Sequence, residues 1–178
     1  MLFGDGASAF IVAAEGDQSS LEILDVLLAT DGTYIDDLGV RCPGTEFGTL
    51  TPRDSATHVE DYRAHMRGQS VILQAARKMT TACQAVLQRN DLEIADVRWL
   101  VPHQANANLL SQLGRALGFP SDGITSVIED FGNTSSASMG IALDTLRRSQ
   151  KIQNGDYLLL PAFGAGFTWG AALCQSAS

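Results

Sequence analysis

Short apolar runs of strand length alternate with longer segments of helical period along this chain, and that alternation is the strongest constraint on its fold. The run at 9–14 (AFIVAA) follows a glycine-rich start, and a second run (LEILDVLL) fills 21–28. Both have the length of buried strands. Over 68–89, Val71, Ala75, Met79, Ala82 and Val86 recur at steps of three and four, which predicts a long helix with one apolar face. A short strand follows at 99–102 (WLVP). The next helix spans 106–117, with Leu109, Leu110, Leu113 and Leu117 on its apolar side. Gly118 and Pro120 stop it. A strand at 125–128, a helix at 136–148 and strands at 157–162 and 168–174 complete the order. This predicts an α/β domain over residues 1–178, a mixed sheet with helices on both faces. The stretch 32–65 lacks a period and contains Gly39, Pro43, Gly44, Gly48 and Pro52. It reads as a long loop of the kind that forms a lid or rim.

The chain has 178 residues, enough for one sizeable core. Its net charge of −8 argues against a nucleic-acid partner, which requires a basic face. No run approaches the roughly 20 apolar residues of a membrane span. The start carries Asp5 and Glu15 and no basic cluster, unlike a signal peptide. Cys42, Cys83 and Cys174 are scattered, outside any His-Cys cluster. They read as reduced thiols of a cytoplasmic protein, with no metal site implied.

Three places in the sequence can carry chemistry. His103, in VPHQAN, directly follows the strand at 99–102. Ligands of open α/β sheets collect beyond the carboxyl ends of strands, so this position suits either a catalytic or a structural histidine. Asn133, in FGNTSSAS, sits in a tight turn before the helix at 136–148, where an Asn can act chemically or as a turn and capping residue. Gly164 and Gly166 bracket Ala165 between the last two strands. Such a bend can expose backbone N–H groups to a ligand or simply close a hairpin. It is no dinucleotide fingerprint, because a strand follows it, and the same holds for GDGASA at 4–9.

Four segments in this order, LFGDGASA, VPHQAN, GNTSSAS and AFGAGFTWGAAL, resemble the C-terminal half of β-ketoacyl-acyl carrier protein synthase III. His103 and Asn133 lie 30 positions apart, as in that family. The resemblance runs from residue 2 to about 174. It implies one half of a thiolase-like five-layer α-β-α-β-α fold. The N-terminal half, with the nucleophilic Cys, is not represented in these residues.

What the resemblance implies chemically is an acyltransferase of fatty acid biosynthesis. A Cys of the other half takes an acyl group from acyl-CoA. Malonyl-acyl carrier protein loses CO₂, and the carbanion attacks the acyl thioester. His103 and Asn133 would be the side-chain donors to the enolate oxygen, and the Ala165 N–H a donor to the tetrahedral intermediate. The family usually has Gly at that last position. Gln104, Ala105, Asn106, Ala107, Asn108 and Arg115 match the carrier-protein docking segment, and Gly68 with Asn106 matches positions near the pantetheine arm. Basic docking residues common in the family are replaced by Asn108 and Leu73. No cofactor is implied beyond the two substrates. The implied partners are the N-terminal half, acyl carrier protein and, when intact, a second copy. Acyl transfer or condensation in secondary metabolism, or an inactive fragment without the nucleophile, are the alternative readings.

Overall fold

A computed structural model describes residues 3–14, 21–41 and 62–177. Six strands and four α-helices are found among them: β1 (Leu21–Thr30), β2 (Leu38–Gly39), β3 (His65–Met66), α1 (Gly68–Arg89), β4 (Val97–Leu100), α2 (Ala107–Leu117), α3 (Ile128–Phe131), α4 (Ala137–Arg148), β5 (Tyr157–Gly164) and β6 (Thr168–Ser176). The main sheet has the order β1-β6-β5-β4. Only β4 and β5 run parallel.

The expected helices over 68–89, 106–117 and 136–148 and the strands at 99–102, 157–162 and 168–174 are present, with ends moved by a few residues. Gly118 closes α2 in the left-handed region at φ 66°, where a side chain would be disfavoured. Helices cover both faces of the sheet. On one, Val71, Ala75, Met79, Ala82, Cys83 and Val86 of α1 join Leu109, Leu113 and Leu117 of α2 against Leu159 and Leu173. On the other, Ala142, Leu143 and Leu146 of α4 meet Trp99, Val101, Leu158 and Leu160. Arg89 ties the end of α1 to β1 through two 2.8 Å bonds to the Asp25 carboxylate.

Four expectations need correction. Residues 9–14 form no strand, and among the described residues no strand pairs with them. The glycine-rich start instead lies along α3 and α4. Gly4 N–H donates to the Asn133 carbonyl at 3.0 Å, and Ser8 and Phe10 press on Gly140. Phe10, Ile11 and Val12 are left exposed. Second, β1 is an edge strand rather than a buried one. Leu24 and Leu27 pack inward while Ile23, Val26 and Leu28 stay open.

Third, 125–128 is no strand. The amide of Gln104 takes the place of a neighbouring strand there, donating to the Thr125 carbonyl at 3.1 Å and accepting from Val127 N–H at 3.0 Å. A single bridge from Ile124 to Leu100 precedes it, and α3 begins at once. Fourth, the described ends of the expected loop are ordered by a two-residue ribbon, β2 against β3. Residues 42–61 of that loop, with Cys42, lie outside the described residues.

Candidate active site

The chain does not leave the sheet where β4 ends. Val101 N–H donates to Leu159 O at 2.8 Å and His103 N–H to Pro161 O at 2.9 Å, so the backbone keeps following β5. Ala105 N–H then bonds back to the His103 carbonyl at 3.0 Å and turns the chain toward α2. His103 is thereby carried just past the carboxyl end of β4, half-buried. Its Nδ1 lies 2.7 Å from the hydroxyl of Ser138, in the first turn of α4. The same hydroxyl accepts from Gln104 N–H at 3.1 Å. Burial pushes the His103 pKa below its ordinary value, so the ring is neutral at pH 7.

Asn133 is buried in the turn between α3 and α4. Its Oδ1 accepts from Ser135 N–H at 2.9 Å, a closed Asx turn. Ser135 stands at φ 53°, the left-handed region, which costs a non-glycine residue on the order of 1 kcal/mol. The turn is held by Ala137 N–H to Thr134 O and Ser138 N–H to Ser135 O at 3.2 and 3.1 Å. Asn133 and the Ser138 that touches His103 thus belong to one short, strained turn, buried at both ends and exposed at Ser135 and Ser136. That turn opens α4, and the positive end of the helix dipole favours negative charge nearby.

Ala165 is exposed in the three-residue loop between β5 and β6, at the same end of the sheet as His103. The loop is anchored by Phe167, which is fully buried. The Phe167 ring stacks on Tyr34 at 5.0 Å and meets Phe163 edge-on at 4.8 Å. Its carbonyl accepts from Asp31 N–H at 2.8 Å and from the Thr30 hydroxyl at 3.1 Å.

The residues matched to carrier-protein docking divide. Gln104 is 0% exposed, and its whole amide is engaged with Pro102, Thr125 and Val127. Ala105 and Asn106 are half-buried, and Asn106 caps α2 by accepting from Leu109 N–H at 2.9 Å. Ala107, Asn108 and Arg115 are exposed; Asn108 and Arg115, seven residues apart, share one face of α2. Gly68 is half-buried at the start of α1, where a side chain would just touch Met66 at 4.0 Å.

Sequence reasoning missed Ser138 and Phe167. Ser138 sits inside the GNTSSAS segment but is not a residue type that stands out there. Its position one turn from Asn133, in a helix following a His-bearing strand, was the available signal. Phe167 was concealed by the glycines around it.

The remaining cysteines are poor candidates for a nucleophile. Burial pushes the Cys83 thiol up to about 12 and that of Cys174 up to about 11, so both are protonated at neutral pH. Among the described residues no helix is long and apolar enough to cross a membrane.

Comparison with known proteins gives the setting of this geometry. Residues 87–176 match the family described as 3-oxoacyl-[acyl-carrier-protein (ACP)] synthase III C terminal. The chain is 42% identical over 174 residues to the beta-ketoacyl-[acyl-carrier-protein] synthase III of Nitratidesulfovibrio vulgaris strain Miyazaki F, covering 97% of this chain and 51% of that protein. Among solved structures, the synthase III of Pseudomonas aeruginosa PAO1 superposes with a TM-score of 0.76 at 29% identity, over 92% of this chain and 47% of the other. The priming beta-ketosynthase of the R1128 polyketide pathway gives 0.74 at 29%, over 88% and 46%. The chain spans about half the length of the curated relatives it matches. Its mixed sheet with helices on both faces is one half of a thiolase-like arrangement. With the motif order, the fold and the matched residues in agreement, this chain belongs to the synthase III C-terminal family.

Proposed function

We propose that this chain is the enolate-stabilising half of a decarboxylative condensing enzyme that joins an acyl-CoA primer to malonyl-acyl carrier protein. One observation carries the reading. Both candidate side chains have one polar atom occupied internally: Nδ1 of His103 at Ser138 and Oδ1 of Asn133 at Ser135. Among the described residues, what remains free is Nε2 of a neutral His and the NH₂ of an Asn. When CO₂ leaves the malonyl thioester, its electron pair passes to the enolate and negative charge grows on the thioester oxygen. Two fixed N–H donors suit that oxygen. The carbanion then attacks the acyl thioester held on a Cys of the complementary half, and the Ala165 N–H helps to hold the resulting oxyanion. The Cys thiolate leaves, and a β-ketoacyl-acyl carrier protein is the product. The chemistry calls for no metal or redox cofactor.

The same reading makes residues 1–178 one thiolase-like domain of a cytoplasmic enzyme. Its partners are a nucleophile-bearing N-terminal half, acyl carrier protein at the α2 face of Ala107, Asn108 and Arg115, and a second copy of the assembled enzyme. A second reading, condensation in secondary metabolism, is favoured by the exposed Leu73 and Asn108 in place of basic docking residues. It is also favoured by the likeness to a priming ketosynthase.

The test uses the chain assembled with a Cys-bearing half. His103→Ala or Asn133→Ala should slow malonyl decarboxylation about 10²–10³-fold and leave acyl loading of the Cys largely intact. Unchanged decarboxylation in either variant would refute the assignment.

A further inference from the structure

We infer that Ser138 is a positioning residue that fixes the tautomer of His103, holding the ring proton on Nε2. The inference rests on the proposed donor role of His103 and names what enforces it. Nδ1 of His103 and Oγ of Ser138 are 2.7 Å apart, and geometry alone leaves the direction of the bond open. The surroundings of Ser138 decide it. Its side chain is in a residue only 1% exposed, so its polar atoms must be satisfied within the protein. Oγ already accepts one hydrogen bond, from Gln104 N–H at 3.1 Å.

If Nδ1 carried the proton, Oγ would accept twice and its own O–H would need an acceptor. His103 and Gln104 are its only side-chain hydrogen-bond contacts among the described residues, and Gln104 offers a donor there. A buried hydroxyl proton without an acceptor is unfavourable by more than the thermal energy. If instead Ser138 O–H donates to Nδ1, all groups are satisfied: Gln104 N–H to Oγ, O–H to Nδ1, and the ring proton on Nε2. The Gln104 backbone is fixed in turn by its own buried amide, which bonds Pro102 O at 2.8 Å and Val127 N–H at 3.0 Å. The ordering therefore runs from a buried glutamine through a serine to one nitrogen of the histidine.

The experiment is nitrogen-detected tautomer analysis of the full chain labelled with ¹⁵N-histidine, the His103 signals being assigned with His103→Gln. In the unaltered chain Nδ1 should have the character of an unprotonated ring nitrogen and Nε2 that of a protonated one. Ser138→Ala removes the hydroxyl without adding bulk and should raise the Nδ1–H form several-fold. Ser138→Cys, with its weaker donor, should fall between the two and serves if the alanine variant does not fold. In the assembled enzyme Ser138→Ala should lower kcat for decarboxylation roughly 10–100-fold with KM unchanged. An Nδ1–H ring in the unaltered chain, or a tautomer ratio unmoved in a folded Ser138 variant, overturns the inference. Failure of the donor role would show differently: the tautomer would shift as stated while decarboxylation stayed unchanged.

Discussion

Ser8 rests directly on the α-carbon of Gly140, so close that a β-carbon at 140 would overlap its side chain and touch Phe10. The glycine one turn into α4 is therefore a seat for the amino-terminal segment. Gly140→Ala should destabilise the chain although alanine is the better helix former by about 1 kcal/mol. Overpacking of this kind costs about 1–3 kcal/mol, so a net loss of up to about 2 kcal/mol is expected in denaturant unfolding. A gain in stability would show that residues 4–10 move aside freely.

Acid should weaken the fold through His103. Its folded-state pKa is depressed by burial, below the ordinary 6.5 that applies when the chain is unfolded. The unfolded chain therefore binds more protons over that window. The stabilising contribution is full above about pH 6.5 and is lost as pH falls through the folded-state value. The slope due to this one group cannot exceed about 1.4 kcal/mol per pH unit. Comparing the pH dependence of urea unfolding in the unaltered chain and in His103→Gln isolates it. Parallel curves would remove His103 as the source.

Cys83 and Cys174, with pKa values near 12 and 11, should resist alkylation at pH 7.5 until denaturant exposes them. Peptide mapping after iodoacetamide reads this directly. The unassisted chain should likewise form no β-ketoacyl product from acetyl-CoA and malonyl-acyl carrier protein. Product formation would force a catalytic role on one of its own cysteines.

Phe10, Ile11 and Val12, together with Ile23, Val26 and Leu28 of the edge strand, leave apolar side chains open to water. Exposed apolar surface and an unpaired strand edge both promote association. The chain alone should self-associate in a concentration-dependent way by light scattering and bind a hydrophobic dye. Ile11→Glu should reduce both. A stable monomer that binds no dye would show that these residues need no cover.

Much of this fold was legible because the helices advertise themselves. The Val71-to-Val86 ladder has the helical period, and those side chains do face the sheet. The last hairpin was legible for the same local reason. Residues 9–14 were not: a run such as AFIVAA is strand-like only in the presence of a strand to pair with. Residues 125–128 failed differently, because the Gln104 side chain supplied the hydrogen bonds a neighbouring strand would have made. Met139, Ile141 and Leu143 of α4 share its apolar composition, but only the first two are partly open, since Leu143 lies against the sheet. At the site, His103 and Asn133 stood out as residue types, while Ser138 did not, because its importance lies in a contact across 35 residues of chain.

The turn from Asn133 to Ser138 has a mechanical consequence. One candidate donor grows out of it and the other is fastened to it through a single hydroxyl. A shift of α4 along or about its axis would carry Asn133 and Ser138 with it while the His103 backbone stays bonded to Pro161 O, so the spacing and the aim of the two donors would change together. The orientation of a whole helix, rather than the freedom of either side chain, would set where the two N–H vectors converge.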